Sequence, residues 1–442
     1  MSIDHEITPL SDAGIELSPD QRAAVDSIPD MPTYGRCIFI TGRAGTGKST
    51  VLRRFVGTTP LQTVVLAPTG LAAVQVGGQT IHSFFNFPLG PLQSDPDTVP
   101  LFKKGQPKRR LMEKLECLVI DEVSMVRADV MDAIDYSLRR NRERPDEPFG
   151  GVTVLCFGDL MQLEPIVKAG ADQEMMADRF ESPFFFDSRS VREASLDVFE
   201  LTTVHRHRDD AEFLFALNRV REGHTDELGL FNARVGADIG TEGVVTLTAT
   251  NRRAGSINLQ RLAGLPGAAT VYRAVIQGKF GRETPTEELL SLKAGAQVMF
   301  VKNGRYWVNG SLGEVTELEA GRARVKLFEG DEVWAEPETW ERKRYAWDSH
   351  AGRISSEPVG SFTQIPLKLA WALTIHKSQG LTLEKVRIDL DRPAFSHGQV
   401  YVALSRCRNL AGVSLARPLA ESDVVVAERA AEFGSTARMT AG

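Results

Sequence analysis

Apolar and polar positions follow two different patterns along this 442-residue chain. In the first half, short apolar, β-branched runs recur at Arg36–Thr41, Thr63–Ala67, Cys117–Asp121 and Val152–Gly158, separated by segments of helical periodicity. Runs that are apolar throughout predict strands buried on both faces, and their alternation with helices predicts a parallel sheet covered on both sides. Between the second and third runs lies Asn86–Arg110, a Pro- and Gly-rich insertion ending in the basic stretch FKKGQPKRR. Between the third and fourth, Asp129–Arg144 reads as a charged amphipathic helix. A second strand–helix series begins near Asp197, continues through Val244–Asn251 and resumes at Lys385–Leu390 and Gly412–Ala416. It is interrupted by Ala296–Thr363, where short alternating runs joined by Gly turns predict a small SH3-like β-barrel. All 5 tryptophans fall between Trp307 and Trp371, and the tail after Glu432 reads as frayed.

Length sharpens this picture, because a chain of this size exceeds a single hydrophobic core and implies several compact units. The longest apolar-looking run, Thr63–Gly78, is broken by Pro68, Gly70, Gly77 and Gly78, so no membrane span is expected. The start, MSIDHEITPL, is acidic and lacks the apolar segment of a secretory signal, and a soluble, cytoplasmic protein is expected. The four cysteines, Cys37, Cys117, Cys156 and Cys407, have no C-x-x-C spacing, which argues against a zinc site or disulfide framework. A formal net charge of -6 does not exclude a nucleic-acid partner, because a basic groove can sit on an acidic body.

The chemistry begins at Gly42–Thr50, GRAGTGKST, which fits the phosphate-loop pattern and stands between a predicted strand and a predicted helix. Gly42, Ala44, Gly45, Thr46 and Gly47 would close backbone N–H groups around phosphate oxygens, with the helix start at Ser49 and Thr50 adding its partial positive charge. Lys48 would reach the β- and γ-phosphates of ATP, and the Ser49 hydroxyl would bind Mg2+. The apolar run CLVI is followed by Asp121 and Glu122, placing two carboxylates at the edge of the sheet where ligands bind. Asp121 would hold the magnesium shell, and Glu122 would orient or deprotonate the attacking water.

Further motifs run in a fixed order over most of the chain. They are LSPDQRAAV at Leu17–Val25, APTGLAAVQVGGQTIHSFF at Ala67–Phe85, GDLMQLEPI at Gly158–Ile166, ELTTVHRHRDD at Glu200–Asp210, TIHKSQGLTL at Thr374–Leu383 and YVALSRCRNL at Tyr401–Leu410. Together they resemble the Pif-one-like (petite integration frequency) DNA helicases of superfamily 1B, with RecD-like helicases next. The resemblance implies an α/β fold of two tandem RecA-like parallel-sheet P-loop domains, with a small wedge insertion in the first and the SH3-like barrel in the second. The expected divisions are 1-85 and 111-190 for the first domain, 86-110 for the wedge, 191-295 and 364-432 for the second domain, 296-363 for the barrel and 433-442 for a flexible tail.

By the same resemblance, Gln21 reads the adenine edge, Gln162 senses the γ-phosphate, and Arg206 and Arg406 reach that phosphate from the second domain. Gln379 and Gly380 join the nucleotide site. Pro68, Thr69, His82, Lys302, Asn303, His376 and Lys377 are the candidate DNA contacts. Phe84 and Phe85 are candidates for base stacking or for a buried helix face; Arg305, Tyr306, Arg342, Lys343, Arg344 and Tyr345 interleave charge and rings as a single-strand surface would, although a small β-module also needs aromatics in its core. The basic run Lys103, Lys104, Lys108, Arg109 and Arg110 stands where the family places its wedge, with a solvated charged loop as the alternative. Two motifs depart from the family pattern: Glu164 replaces a proline, and His205-Arg206-His207 replaces Phe-Arg-Gln. The implied activity is an ATP-dependent 5′→3′ DNA helicase working in replication, repair or recombination. Its expected partners are single-stranded DNA and forked or 5′-overhang duplexes, a monomer would suffice, and a bacterial protein would be nucleoid-associated.

Overall fold

Six parallel strands build the first domain of the computed structural model, which describes residues 16–28, 35–88, 90–204, 210–280, 284–348 and 352–440. They are β1 (Cys37–Gly42), β2 (Thr63–Ala67), β3 (Gln79–Thr80), β4 (Cys117–Ile120), β5 (Thr153–Gly158) and β6 (Leu196–Leu201), in the order β3-β2-β4-β5-β1-β6. Every pair is parallel. β4 and β5 are buried at each position, which accounts for a sequence that is apolar apart from Thr153. Helices α1 (Pro19–Asp26), α2 (Lys48–Thr58), α3 (Gly70–Gln75), α4 (Ile81–Phe85), α5 (Pro107–Lys114), α6 (Ala128–Arg142), α7 (Ala171–Arg179) and α8 (Arg189–Ala194) complete the domain. Since β4, β5 and β1 are neighbours, the residues following each of them meet at one sheet edge. That adjacency assembles the site.

The first domain reaches further than the sequence pattern implies. β6 was expected to open the second domain, yet it pairs with β1 from Cys37↔Leu196 to Gly42↔Leu201 and closes the first sheet. Strand propensity identifies the segment but carries no information about its partner.

Helix α9 (Ala211–Arg221) opens the second domain, followed by α10 (Leu228–Asn232), β7 (Val244–Thr248) and α11 (Asn251–Gly264). A β module then intervenes: β8 (Thr270–Arg273), β9 (Val275–Gly278), β10 (Leu289–Leu292), β11 (Gln297–Phe300), β12 (Leu312–Glu319), β13 (Arg322–Leu327), β14 (Glu332–Ala335), β15 (Glu338–Asp348), β16 (Arg353–Gln364) and β17 (Leu367–Leu369). The parallel sheet resumes with β18 (Ala372–Thr374), α12 (Ile375–Ser378), β19 (Lys385–Asp389), α13 (Gln399–Leu404) and β20 (Val413–Leu415), in the order β18-β7-β19-β20. The module's antiparallel sheet, β14-β13-β12-β11-β17, folds over Val298, Phe300, Val315, Val325 and Leu367. It exceeds the expected 296-363, because β17 pairs with β11 and β9 pairs with β16. Both additions are long-range pairings that no local pattern announces.

The β15–β16 hairpin crosses to the first domain. The Val65 N–H donates to the Tyr345 hydroxyl at 3.3 Å, and the Ile354 N–H to Gln62 Oε1 at 2.8 Å. Arg342 Nη2 donates to Ser83 Oγ at 2.9 Å, while the Tyr345 ring meets Phe84 edge-on at 6.2 Å. Tyr345 and Arg342 therefore join domains, rather than standing free as a strand-binding surface.

Two more expectations change. Segment 86-110 is rooted in the core through Phe87, Leu92 and Val99, and Leu92 N–H donates to Asp129 Oδ2 at 3.0 Å. Within its basic run, Arg109 is buried and bonded to Glu113, while Lys108 lies over the Phe84 ring at 3.5 Å. Lys103, Lys104 and Arg110 are exposed. The chain continues as a helix beyond Glu432: α14 spans Glu428–Thr440, and Phe433 stacks on Phe186 at 4.2 Å. Arg429 adds an ion pair to Asp187 at 2.8 Å and Ala430 is fully buried, so the start of the helix is docked on the first domain.

Candidate active site

The phosphate loop follows from its glycines. Gly45 and Gly47 have φ of 83° and 81°, a left-handed conformation open to glycine, and they turn successive N–H groups into one concavity. Gly42 admits no side chain, since a Cβ would lie 2.6 Å from Thr46 Oγ1 and 2.8 Å from the Leu201 carbonyl of β6. Lys48 begins α2 and donates Nζ to the carbonyls of Gly42 at 2.7 Å and Arg43 at 3.2 Å. Burial lowers its pKa, opposed by Asp159, Glu122 and Asp121. Gln21 is 2% exposed and donates Nε2 to the Thr46 carbonyl at 2.9 Å while its Oε1 accepts the Ser18 N–H, so it braces the loop from α1. Ser49 is exposed at the mouth, beside Thr50.

Opposite the loop stand the carboxylates at the end of β4. Glu122 has φ 50°, a strained conformation for a residue with a side chain and one that clusters at functional sites. Burial and the neighbouring Glu122 push Asp121 up to about 7, and burial also raises Glu122 against the attraction of Lys48 and Arg406. Among the described residues no group of three or more His, Cys, Asp or Glu converges as a metal cage. Two adjacent carboxylates, with the Ser49 hydroxyl as a further candidate oxygen ligand, would suit a hydrated magnesium ion, whose charge would relieve the repulsion between Asp121 and Glu122.

The second domain closes the cleft. Gln379 Nε2, one residue beyond α12, donates to Glu122 Oε2 at 3.0 Å and to Gln162 Oε1 at 3.1 Å. Gly380 follows it with φ 80°. The Tyr401 hydroxyl of α13 accepts the Ala44 N–H at 3.2 Å and donates to Asp159 Oδ2 at 3.4 Å. Arg221, at the end of α9, donates Nη2 to Asp159 Oδ1 at 2.8 Å. Motif reasoning missed Arg221, which lies in none of the quoted motifs. It also missed Tyr401, although that residue opens YVALSRCRNL.

Arg406 is 2% exposed and donates to the carbonyls of Val402, Ser378 and Leu381 and to Ser405 Oγ. These bonds tie α13 to the loop carrying Gln379. Arg206, with His205 and His207, lies outside the described residues. Glu164 makes a cross-domain tie: its Oε1 accepts Ser396 Oγ at 3.3 Å and the His397 N–H at 3.2 Å.

The candidate DNA contacts divide. Pro68 and Thr69 follow β2, and the Thr69 hydroxyl caps α3 by accepting the Ala72 N–H. His82 on α4 and His376 on α12 are half-buried, and burial holds both below the usual histidine pKa. Lys377 is exposed beside His376. Lys302 is committed internally to Glu338 at 2.8 Å and the Thr339 carbonyl at 2.7 Å. Asn303 Oδ1 accepts the Asn309 N–H and shapes a loop that presents Arg305 and Tyr306 to solvent. Phe84 and Phe85 are both fully buried, which removes them as stacking platforms.

A family model described as PIF1-like helicase matches residues 16–228. The ATP-dependent DNA helicase PIF1 of Danio rerio is 35% identical over 90% of this chain and 60% of its own length. ATP-dependent DNA helicase Pif1 of Bdellovibrio bacteriovorus is 32% identical over 91% of this chain and 88% of its own. The crystal structure of Bacteroides sp Pif1 in complex with ADP-AlF4 superposes with a TM-score of 0.85 at 33% identity, covering 96% of this chain and 98% of that one. This chain spans about 60% of the length of the vertebrate relatives it matches. The likeness to the Bacteroides structure covers both α/β domains and identifies them as RecA-like.

Proposed function

The chain belongs to the PIF1-like helicase family, and from that premise we propose that it is an ATP-dependent 5′→3′ DNA helicase. The observation that carries the reading is the two-sided cleft: Lys48, Asp121, Glu122 and Gln162 of the first domain face Gln379, Tyr401 and Arg406 of the second. ATP bound at Gly42–Thr50, with Gln21 bracing the loop and set to read the adenine, brings a phosphate between the two halves. Water attacks the γ-phosphorus, its proton passes to Glu122, and the bond to ADP breaks. Ser49 and Asp121 would hold magnesium, which when bound neutralises phosphate charge. Gln162 reads the γ-phosphate, with Arg406 and Arg206 as its arginine partners from the second domain. Loss of that phosphate removes what both domains grip, and the cleft opens.

Alternating closure becomes movement if each domain holds the strand. Pro68, Thr69 and His82 would do so in the first domain, and His376, Lys377 and the Asn303 loop in the second. Lys302 contributes by supporting that module. The exposed cations Lys103, Lys104 and Arg110 serve as the wedge against a duplex. Both halves of the site belong to one chain, so a monomer suffices. The proposed setting is DNA replication, repair or recombination in the cytoplasm, at the nucleoid if the source is bacterial. Among the described residues no helix is long and apolar enough to cross a membrane.

The test is unwinding of matched duplexes carrying 5′ or 3′ overhangs, or a fork, with ATP and magnesium. Unwinding from the 5′ overhang and the fork is expected. Preference for the 3′ overhang would sink the assignment of direction, and strand-stimulated ATPase without unwinding would reduce the protein to a translocase.

A further inference from the structure

A cation outside every phosphate-site motif lies at the back of the cleft. Arg221 is 5% exposed and Asp159 fully buried, and Nη2 donates to Oδ1 at 2.8 Å. A buried ion pair is tolerable only when the remaining lone pairs find donors. Here they do: Met161 N–H donates to Oδ1 at 3.1 Å, and Gln162 Nε2 and the Tyr401 hydroxyl each approach Oδ2 at 3.4 Å. An ionised carboxylate only accepts. Asp159 therefore draws the Gln162 NH2 group to itself and turns Gln162 Oε1 towards Gln379 Nε2. Gln379 Nε2 is shared with Glu122, and its Oε1 is buried with no hydrogen-bond partner among the described residues. The result is one directed chain across both domains, from Arg221 through Asp159, Gln162 and Gln379 to Glu122.

We propose that Arg221 is a positioning residue for hydrolysis. Acting through Asp159, it sets the amide orientation of Gln162 and hence of Gln379, so that Gln379 Oε1 and Glu122 face the attacking water together. The inference rests on the ATPase reading above and names a second-domain group on which the geometry of the first-domain base depends.

Loss of Arg221 has a specific consequence. Burial raises the Asp159 pKa, whereas Arg221 and Lys48 bring it below the usual carboxylate value. The groups that face it are Arg221, Tyr401 and His397 of the second domain and Lys48 and Glu122 of the first. Without Arg221, burial favours the protonated acid. A protonated Asp159 can donate to Gln162 Oε1 and reverse the amide. An Arg221→Gln variant thus acquires an ionisation in its turnover that the parent lacks.

The experiment is steady-state, single-strand-stimulated ATPase from about pH 6 to about pH 9. It compares the parent chain, Arg221→Gln, Arg221→Lys and the double variant Arg221→Gln/Asp159→Asn, with ADP affinity and melting temperature for each. Arg221→Gln is expected to lower kcat roughly tenfold or more near neutrality, with KM within about threefold, and to regain activity as pH rises. Arg221→Lys recovers part of kcat, and Asp159→Asn in the double variant abolishes the new pH limb. A parental kcat and pH profile in Arg221→Gln overturns the inference, as does a loss that merely tracks melting temperature. Absence of ATPase in the parent overturns the functional reading itself.

Discussion

The Tyr401 hydroxyl of the second domain accepts the Ala44 N–H of the phosphate loop at 3.2 Å, across the cleft. Burial and the nearby Asp159 raise this phenol to about 12, so it stays neutral, accepting from the loop while donating to the carboxylate. Phosphate loops hold anionic oxygens with such N–H groups. The phenol oxygen and a bound triphosphate therefore compete for one donor, which links nucleotide entry to the grip between domains.

Tyr401→Phe leaves the buried Ala44 N–H without this acceptor in the nucleotide-free protein, so nucleotide binding should tighten. The expected gain in ADP affinity is about two- to tenfold, the value of one intramolecular hydrogen bond. A fluorescent-nucleotide titration measures it. Weaker binding would mean that the hydroxyl contacts the nucleotide instead.

Glu122→Gln keeps the shape of the side chain but removes the base. Turnover should fall by roughly 10²- to 10⁴-fold while nucleotide affinity persists. The same change removes a charge that raises Asp121, so the Asp121 pKa should drop from about 7. Unchanged turnover would show that Glu122 is not the base, and negligible turnover in parent and variant alike would describe a nucleotide-switched binding module.

The hairpin contacts are separable from the nucleotide site. Arg342→Ala removes the bond to Ser83, and Tyr345→Phe removes the acceptor of the Val65 N–H. Each should weaken the docking of β15–β16 by about 0.5–1.5 kcal/mol. Hydrogen exchange should quicken at Val65 and Ile354 and leave β4 and β5 unchanged. Equal acceleration in β4 would indicate general loosening of the first sheet.

Asp423 provides a test in acid. Arg417 and the N–H groups of Ala394 and Ala420 hold its carboxyl at about 2, below the usual carboxylate range. A folded-state pKa below the unfolded one contributes stability above the unfolded value, and that contribution is lost as pH falls through the folded one. Asp423→Asn should therefore cost about 1–2 kcal/mol at neutral pH. In urea melts the difference should shrink below about pH 4 and vanish near about pH 2. A pH-independent difference would assign the effect to shape rather than charge.

Much of the candidate site is legible from the chain because its chemistry is local. A phosphate loop needs its glycines, lysine and hydroxyl within one strand–turn–helix, so Gly42–Thr50 reads directly from spacing. Asp121 and Glu122 are legible for the same reason, since an apolar strand must end where its charges begin. Arg221 was invisible. Its role depends on a helix of one domain ending against a strand of the other, and no periodicity records that meeting.

The sequence by itself determined which segments become strands, where the phosphates bind and that two α/β units exist, because these follow from backbone conformation and burial pattern over a few residues. Only the tertiary structure decided which sheet β6 joins, that Phe84 and Phe85 are core, that Tyr345 and Arg342 bridge domains, and that Phe433 docks the tail. The physical reason is common to all four. Pairing of strand edges and of aromatic faces is a long-range choice, made by the whole chain at once, and a local run carries only the capacity for it.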